Sequence, residues 1–515
     1  MHRRKLPIGI QTFAKIREDD FYYVDKTGLI RQLVDEGSQY FLSRPRRFGK
    51  SLLIDTLAEL FACNEPLFRG LAIHPHWDWT TPYPVIRISF GGGVVRDRIE
   101  LDQRILDLLS RNQRALGVAC RDTTDVVGCF AELLALAHAA TGQRVVVLVD
   151  EYDKPILDNL SDAKTARELR DGLRNLYSVI KDNDAHIRFA FLVGVSKFSK
   201  VSIFSGLNSL KDITVDARYS ALCGYTEADV DGVFAPELDG LEREQIRLWY
   251  NGYNWTGEAV YNPFDLLLLF DAREFRTWWF ETGTPTFLVN LLTARGFFTP
   301  DLAGLHASEA LISTFDVDSM SSEALLWQSG YLTFTGSRRL GARLEYALGY
   351  PNLEVEIALN DALLKGLMGD PMQADRAVSR LYDVLVAGDF AALRAHVEGL
   401  FSAIPYHWHT GNSIARFEGY YANVFYSHLA ALGLDLTPEE TSNQGRIDLT
   451  LKFNDCIWLF EFKVVELTPE GRALQQIKDR GYADKYRALG QPIHQIGIEF
   501  SRERRALVGF EVETL

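Results

Sequence analysis

Short, almost wholly apolar stretches separated by segments of helical period dominate the first two-fifths of the chain. Between about residues 35 and 215 these stretches are Tyr40-Phe41-Leu42, Pro84-Val85-Ile86-Arg87-Ile88, Arg144-Val145-Val146-Val147-Leu148-Val149 and Ile187-Arg188-Phe189-Ala190-Phe191-Leu192-Val193. Strands apolar on both faces belong to a parallel sheet covered by helices on both sides. The segments from Ser51 to Leu57, over about 97–141 and over about 164–183 predict those helices.

From about 216 to 370 the pattern changes to short helices rich in aromatic residues, such as Trp249-Tyr250-Asn251-Gly252-Tyr253 and Trp278-Trp279-Phe280, punctuated by Pro263, Pro285 and Pro351. It reads as a helical lid followed by a winged-helix-like module, with strands at Leu332-Thr333-Phe334 and Arg343-Leu344-Glu345-Tyr346. Beyond about 375, a helical connection leads into a compact α/β unit. Strands are predicted near 446–453, 457–465, 494–500 and 507–513, and helices near 413–432 and 470–488. The expected division is 1–215, 216–374 and 375–515, and the length allows roughly three domains.

Composition narrows the class. A hydrophobic fraction of 47% with 24% charged residues is that of a globular chain with sizeable cores. No run of eighteen apolar residues occurs, and the start MHRRKLPIGIQTF lacks a signal-peptide stretch, so a soluble, cytoplasmic protein without a membrane partner is expected. Cys63, Cys120, Cys129, Cys223 and Cys456 are scattered without a CxxC pair, which argues against a disulfide framework and a zinc site. A net charge of −14 excludes a histone-like coat, because phosphate neutralisation supplies most non-specific affinity for nucleic acid. An enzyme with a local basic cleft survives that test. Of the basic clusters at 2–5, 44–47 and 502–505, the first and last read as solvated surface.

The middle cluster lies between a predicted strand and a predicted helix, in Arg44-Pro45-Arg46-Arg47-Phe48-Gly49-Lys50-Ser51-Leu52. That context is a phosphate-binding loop: backbone N–H groups and a helix N-terminus cradle phosphates, and the lysine reaches the β- and γ-oxygens. Ser51 would offer its hydroxyl to Mg²⁺, and Arg44 stands where the first glycine of the motif would be. Gly49-Lys50-Ser51 alone equally describes a glycine turn beside a surface lysine. The apolar strand ending in Asp150-Glu151 separates the two readings. In P-loop ATPases the first acid holds the Mg²⁺ shell and the second orients the attacking water. Ser196 and Lys197, at the tip of the strand ending at Val193, are candidates for sensing the γ-phosphate, although a surface loop accounts for them as well.

A second constellation lies near the other end, in Gly445-Arg446-Ile447-Asp448-Leu449-Thr450-Leu451 and Cys456-Ile457-Trp458-Leu459-Phe460-Glu461-Phe462-Lys463-Val464. Alternation turns Asp448 away from Ile447, Leu449 and Leu451, and sets Glu461 and Lys463 on one side of their strand. If the strands form a hairpin through Asn454-Asp455, the two carboxylates converge and could hold Mg²⁺, with Lys463 at the water or the phosphate. Glu418 is a candidate third carboxylate, and Gln476 and Tyr482 lie on a helix expected to cover the sheet. An ion pair of Glu461 with Lys463 at a sheet surface is the plain alternative, and the helix–hairpin–strand–helix–strand order favours a PD-(D/E)XK core.

The whole chain resembles one family, the AAA-ATPase-like proteins with a C-terminal PD-(D/E)XK nuclease domain. The likeness is carried by Leu6-Pro7-Ile8-Gly9-Ile10, Tyr23-Val24-Asp25-Lys26-Thr27, the loop 44–51, Val149-Asp150-Glu151-Tyr152-Asp153-Lys154-Pro155, Gly194 to Lys200, Trp249 to Tyr253, Tyr261-Asn262-Pro263-Phe264 and Gly330-Tyr331-Leu332-Thr333. In that family the arginine-rich loop without the first glycine is the usual form. The resemblance implies an α/β multidomain protein with a parallel-sheet P-loop ATPase core, a helical lid with a winged-helix-like region, and a nuclease-like α/β domain. It implies a bacterial, cytoplasmic protein using ATP and Mg²⁺, with nucleic acid, DNA first, as partner. A nucleotide-controlled switch or binding module with little cleavage is the alternative, and a homo-oligomer is left open.

Overall fold

The computed structural model describes residues 3–197, 210–279, 292, 302, 304–308, 315–316, 319–403, 418–442, 445–504 and 506–515. Phe198, Ser199, Lys200, Phe280 and Pro285 lie outside the described residues, as does the side chain of Glu418. The chain forms two compact units, Met1–Gly283 with His306–Asn352, and Thr284–Leu305 with Leu353–Leu515. Among the described residues no helix is long and apolar enough to cross a membrane.

The first unit opens with helices α1 (Phe13–Glu18) and α2 (Thr27–Glu36) and is centred on a five-stranded sheet. Strands β1 (Gln39–Ser43), β2 (Val85–Ser89), β3 (Val145–Asp150), β4 (Ile187–Gly194) and β5 (Lys211–Asp212) run in the order β2-β3-β4-β1-β5, every neighbouring pair parallel. Strands β1 and β3 are buried at every residue, as continuous apolar runs require. The edge strand β2 instead alternates, and its Arg87 reaches out to Asp55 at 2.7 Å on α3 (Lys50–Phe61).

The single helical region expected over 97–141 is two helices, α4 (Arg98–Leu116) and α5 (Val126–Thr141). Gly117 ends the first at φ +66°, and the Asp125 carboxylate caps the second by accepting from the Val127 N–H at 3.1 Å. The turn α6 (Lys154–Leu157) and α7 (Ala163–Asp182) follow β3.

Helices α8 (Glu227–Val233), α9 (Arg243–Tyr250) and α10 (Pro263–Ala272) enclose an aromatic core of Phe234, Tyr250, Tyr261 and Phe270, which Tyr22 and Val24 of the N-terminal segment complete. Lys26 is tied to Asp229 at 2.5 Å and Tyr22 donates to Glu237 at 2.9 Å. Helix α11 (Ser322–Ser329) then leads to an antiparallel hairpin, β6 (Thr333–Leu340) and β7 (Arg343–Gly349), the helix-plus-hairpin order expected from the sequence.

The second unit contains helices α12 (Leu353–Met368), α13 (Pro371–Ala387), α14 (Phe390–Ala403) and α15 (Glu418–Ala430). Its sheet comprises β8 (Asp435–Ser442), β9 (Gly445–Phe453), β10 (Cys456–Val465), β11 (Ile493–Ser501) and β12 (Ala506–Thr514), adjacent in chain order. All pairs are antiparallel except β10 with β11, whose crossover carries α16 (Arg472–Asp479). The larger core packs α12 to α15 against Leu449, Phe460, Phe462, Ile498 and Phe500; the smaller packs α16 against Ile447, Leu459 and Ile493.

Two expectations change here. Strand β8 was not foreseen: it holds Pro438 and lies at the sheet edge, where a missing N–H costs no ladder bond. The helix expected over 470–488 stops at Asp479, because Gly481 turns the chain at φ +54° before a 3₁₀ segment at Asp484–Leu489.

Candidate nucleotide and metal sites

The loop between β1 and α3 is held from behind. Arg44 is fully buried; it donates to the carbonyls of Ser43 (2.8 Å), Thr214 (2.9 Å) and Tyr219 (3.2 Å), and lies 4.0 Å above the Trp255 ring. Burial pulls its pKa down to about 10, so it stays charged at neutral pH. Its guanidinium therefore braces the loop from the protein interior. Phe48 is buried in perpendicular contact with Tyr253 (4.7 Å between ring centroids) and Trp255 (5.5 Å), and the Trp279 indole donates to the carbonyl of Arg46 at 3.1 Å. Pro45 packs where Gly330 has no side chain: a Cβ there would approach its ring to 2.7 Å.

The front of the loop faces a cavity of about 450 Å³, within the size range of ligand sites, roughly 300–1,000 Å³. Its polar lining includes Arg46, Arg47, Lys50, Ser51, Glu151, Asp153 and Lys154, joined by Gly49 and Leu52; Ile10, Pro263, Phe264 and Leu267 are among its apolar surface. Gly49, at φ +85°, caps the N-terminus of α3, and Arg47, also left-handed at φ +69°, lays its guanidinium over Phe264 at 4.7 Å. The Lys50 amine is folded back onto the carbonyls of Arg44 (2.8 Å) and Pro45 (2.7 Å). Burial lowers its pKa, with the Asp150 charge the largest opposing influence.

Asp150 ends β3, and among the described residues its buried Oδ1 has no hydrogen-bond partner, an open acceptor that a hydrated cation could fill. Burial first, and then Asp150, push the Glu151 carboxyl above the usual range. Ser196 and Lys197 do not line the cavity. The Ser196 hydroxyl and N–H both donate to Asp153, and Lys197 pairs with Asp212 at 2.7 Å. Asp153, which the sequence reading passed over, lines the cavity and is almost wholly buried. Its signal was an acid two residues beyond Glu151, in a segment already marked by Asp150.

In the second unit Asn454 and Asp455, at φ +54° and +56°, form the two-residue turn that joins β9 to β10. The ladder between those strands ends at Leu449↔Phe460, and Asp448 and Glu461 lie immediately past the last pair. There the alternation breaks: Ile447 packs with the smaller core, and Leu449 and Leu451 with the larger, so Asp448 is not simply opposite all three. The strands part, and the Asp448 carboxylate accepts from the Phe462 N–H at 2.8 Å in place of a ladder bond.

Glu461 is fully buried. Its Oε1 meets the Lys463 amine at 3.2 Å and accepts from the Gln476 amide, and its Oε2 faces the Asp448 N–H at 3.4 Å. Burial, reinforced by the charge of Asp448 and opposed by Lys463, raises its pKa to about 8. Tyr482 donates to the carbonyl of Arg446 at 2.6 Å. Asp448, Glu461, Lys463 and Gln476 are thus brought together. Among the described residues no group of three or more His, Cys, Asp or Glu is placed to hold a metal; Asp448 and Glu461 are the two described carboxylates that a cation here could take, and Mg²⁺ readily keeps water at its other positions.

Glu499 was also missed, although a lone acid in Ile496-Gly497-Ile498-Glu499-Phe500 could have marked it. It is buried and accepts from the N–H groups of Glu470 (2.6 Å), Gly471 (3.1 Å), Arg472 (2.6 Å) and Ala473 (3.3 Å), at the start of the helix that carries Gln476.

A parallel sheet with a glycine–lysine–serine turn after β1 and an acid ending β3 defines the P-loop ATPase class. The forked hairpin with Asp448, Glu461 and Lys463 defines the PD-(D/E)XK class. The family model described as a predicted AAA-ATPase matches residues 7–204, and that of the PD-(D/E)XK nuclease superfamily matches residues 416–509. The chain belongs to the AAA-ATPase-like proteins that carry a C-terminal PD-(D/E)XK nuclease-superfamily domain. An "uncharacterized protein in vnfD 5'region" of Azotobacter chroococcum mcd 1 is 65% identical over 516 residues, covering 100% of both chains. No solved structure matches the chain.

Proposed function

We propose that the protein binds and hydrolyses ATP with Mg²⁺ at the β1–α3 loop, and that this cycle controls a Mg²⁺-dependent nuclease at Asp448, Glu461 and Lys463. The observation that supports the reading most is the second cluster. A fully buried carboxylate set beside a second one, with a single lysine to offset the two, leaves negative charge that a bound divalent cation would neutralise.

At the first site Lys50 exchanges two loop carbonyls for phosphate oxygens, and Arg46 and Arg47 add charge from the cavity wall. Ser51 and Asp150 hold Mg²⁺, and Glu151 orients the attacking water. At the second, Asp448 and Glu461 hold the metal, whose chemistry is to activate water and neutralise developing phosphate charge. Lys463 stabilises the phosphate, and Gln476 fixes the Glu461 carboxylate. The substrate is nucleic acid, DNA first, and the setting is the cytoplasm, where ATP and Mg²⁺ are supplied.

Incubation with labelled single- and double-stranded DNA and RNA, in Mg²⁺ with and without ATP, tests this. Cleavage is expected only with Mg²⁺, is lost in Asp448→Ala while ATP turnover persists, and loses its response to ATP in Lys50→Ala. Cleavage surviving Asp448→Ala sinks the nuclease assignment.

A further inference from the structure

The β6–β7 hairpin carries a feature that neither site uses. Its base is rigid: Trp327 of α11 stacks on Phe334 (5.0 Å between ring centroids), and Phe334 stacks on Tyr346 (4.3 Å). Its far end projects. All nine residues from Thr335 to Arg343 are exposed, and the chain turns through Gly341 at φ +63° and Ala342. These nine include Arg338, Arg339 and Arg343 and no acid, in a chain with 69 acidic and 55 basic residues. Arg338 pairs with Glu345 at 2.5 Å; among the described residues no carboxylate is placed to pair with Arg339 or Arg343.

Register decides what such an arm suits. Arg343 is opposite Leu340, Leu344 opposite Arg339 and Glu345 opposite Arg338. Side chains alternate along a strand, so Arg338 and Arg343 leave one face of the hairpin and Arg339 the other. A flat acidic surface can meet one face only. A duplex groove has a row of phosphates along each wall, and a β-hairpin is narrow enough to enter it.

We infer that the 335–343 arm is a docking element for double-stranded nucleic acid, entering a groove with Arg339 toward one phosphate row and Arg343 toward the other. The inference rests on the reading of the protein as one that acts on nucleic acid. It adds a contact surface in the first unit, where the local charge opposes the sign of the whole chain.

The test is fluorescence anisotropy of labelled duplex DNA and duplex RNA with the full chain in EDTA, so that cleavage cannot interfere, between 50 and 200 mM salt. Arg339→Ala/Arg343→Ala is expected to weaken binding at least tenfold at the lower salt. It should also flatten the slope of log Kd against log salt by about 2, roughly 0.9 for each lost phosphate contact. ATP turnover and melting temperature should not change, and Arg339→Lys/Arg343→Lys should restore most of the binding. Equal losses on both duplexes assign the arm to phosphate rows in general, and a loss on DNA alone assigns it to the B-form groove. Superimposable curves for wild type and the alanine variant, with wild type binding tightly, overturn the inference and leave the nucleic-acid reading standing. Absence of wild-type binding to either duplex overturns the inference, and absence of binding to single-stranded DNA and RNA as well overturns the nucleic-acid reading with it.

Discussion

Arg44 and Arg47 stand three residues apart in one loop, yet their side chains lie in opposite environments. Arg44 is buried with three backbone carbonyls and an indole, whereas Arg47 is exposed on the cavity wall beside Phe264. Truncating Arg44 leaves buried carbonyls without donors, so Arg44→Ala should cost about 3 kcal/mol in urea unfolding. Arg47→Ala removes an exposed cation–π contact and should cost within about 1 kcal/mol, while raising the KM for ATP several-fold. Equal stability losses in the two variants would contradict this division. The sequence placed both arginines in the loop but not on opposite sides of it, because that depends on Trp255 and Thr214, some two hundred positions away.

Glu461 gives a residue-scale prediction with a sign. Its pKa rises from 4.5 to about 8 in the folded protein, chiefly through burial and then through Asp448. Between those values the native state binds more protons than the unfolded state, so this group's contribution makes stability fall as pH rises from about 4.5 to 8. Glu461→Gln removes the dependence. In EDTA the variant should melt above wild type at pH 8 and close to it at pH 5. Added Mg²⁺ at pH 8 should raise the wild type and leave the variant in place. Thermal melts at the two pH values decide the matter, and an offset independent of pH would remove the charge argument.

At the scale of elements, the hairpin, helix and parallel strand around Glu461 were legible because each has its own period and the turn residues Asn454 and Asp455 mark the reversal. The point where β9 and β10 part was not legible. The period of Ile447, Leu449 and Leu451 continues unbroken through it, and only the end of the ladder at Leu449↔Phe460 reveals the fork. Strand β8 escaped for a related reason, since an edge strand tolerates the proline that a central strand forbids. The placement of α16 was equally hidden. It depends on Glu499 at its first turn and on Gly497, where a Cβ would come within 2.3 Å of the Leu474 nitrogen. Gly497→Ala should therefore push α16 off the sheet, at about 1–3 kcal/mol for overpacking. It should also carry Gln476 away from Glu461, lowering nuclease kcat while ATP turnover is unaffected. Chemical denaturation together with both activity assays reads the result, and full cleavage in a destabilised variant would separate Gln476 from the chemistry.

At the scale of the whole molecule, two compact units each hold one site, and the proposed control of one by the other is a coupling free energy that ligands must reveal. A ligand that binds only the native form stabilises the unit it occupies, by about 2.7 kcal/mol at a hundred times its Kd. If the sites were independent, nucleotide would move only the calorimetric transition altered by Lys50→Ala, and Mg²⁺ without nucleotide only the one altered by Glu461→Gln. Control of the nuclease by ATP requires more: nucleotide must also shift the transition of the unit that holds Glu461, and this cross-shift must disappear in Lys50→Ala. The expected scan of the full chain with a non-hydrolysable ATP analogue therefore moves both transitions in wild type and neither in Lys50→Ala. A shift confined to the first unit would leave two activities sharing one chain without communicating.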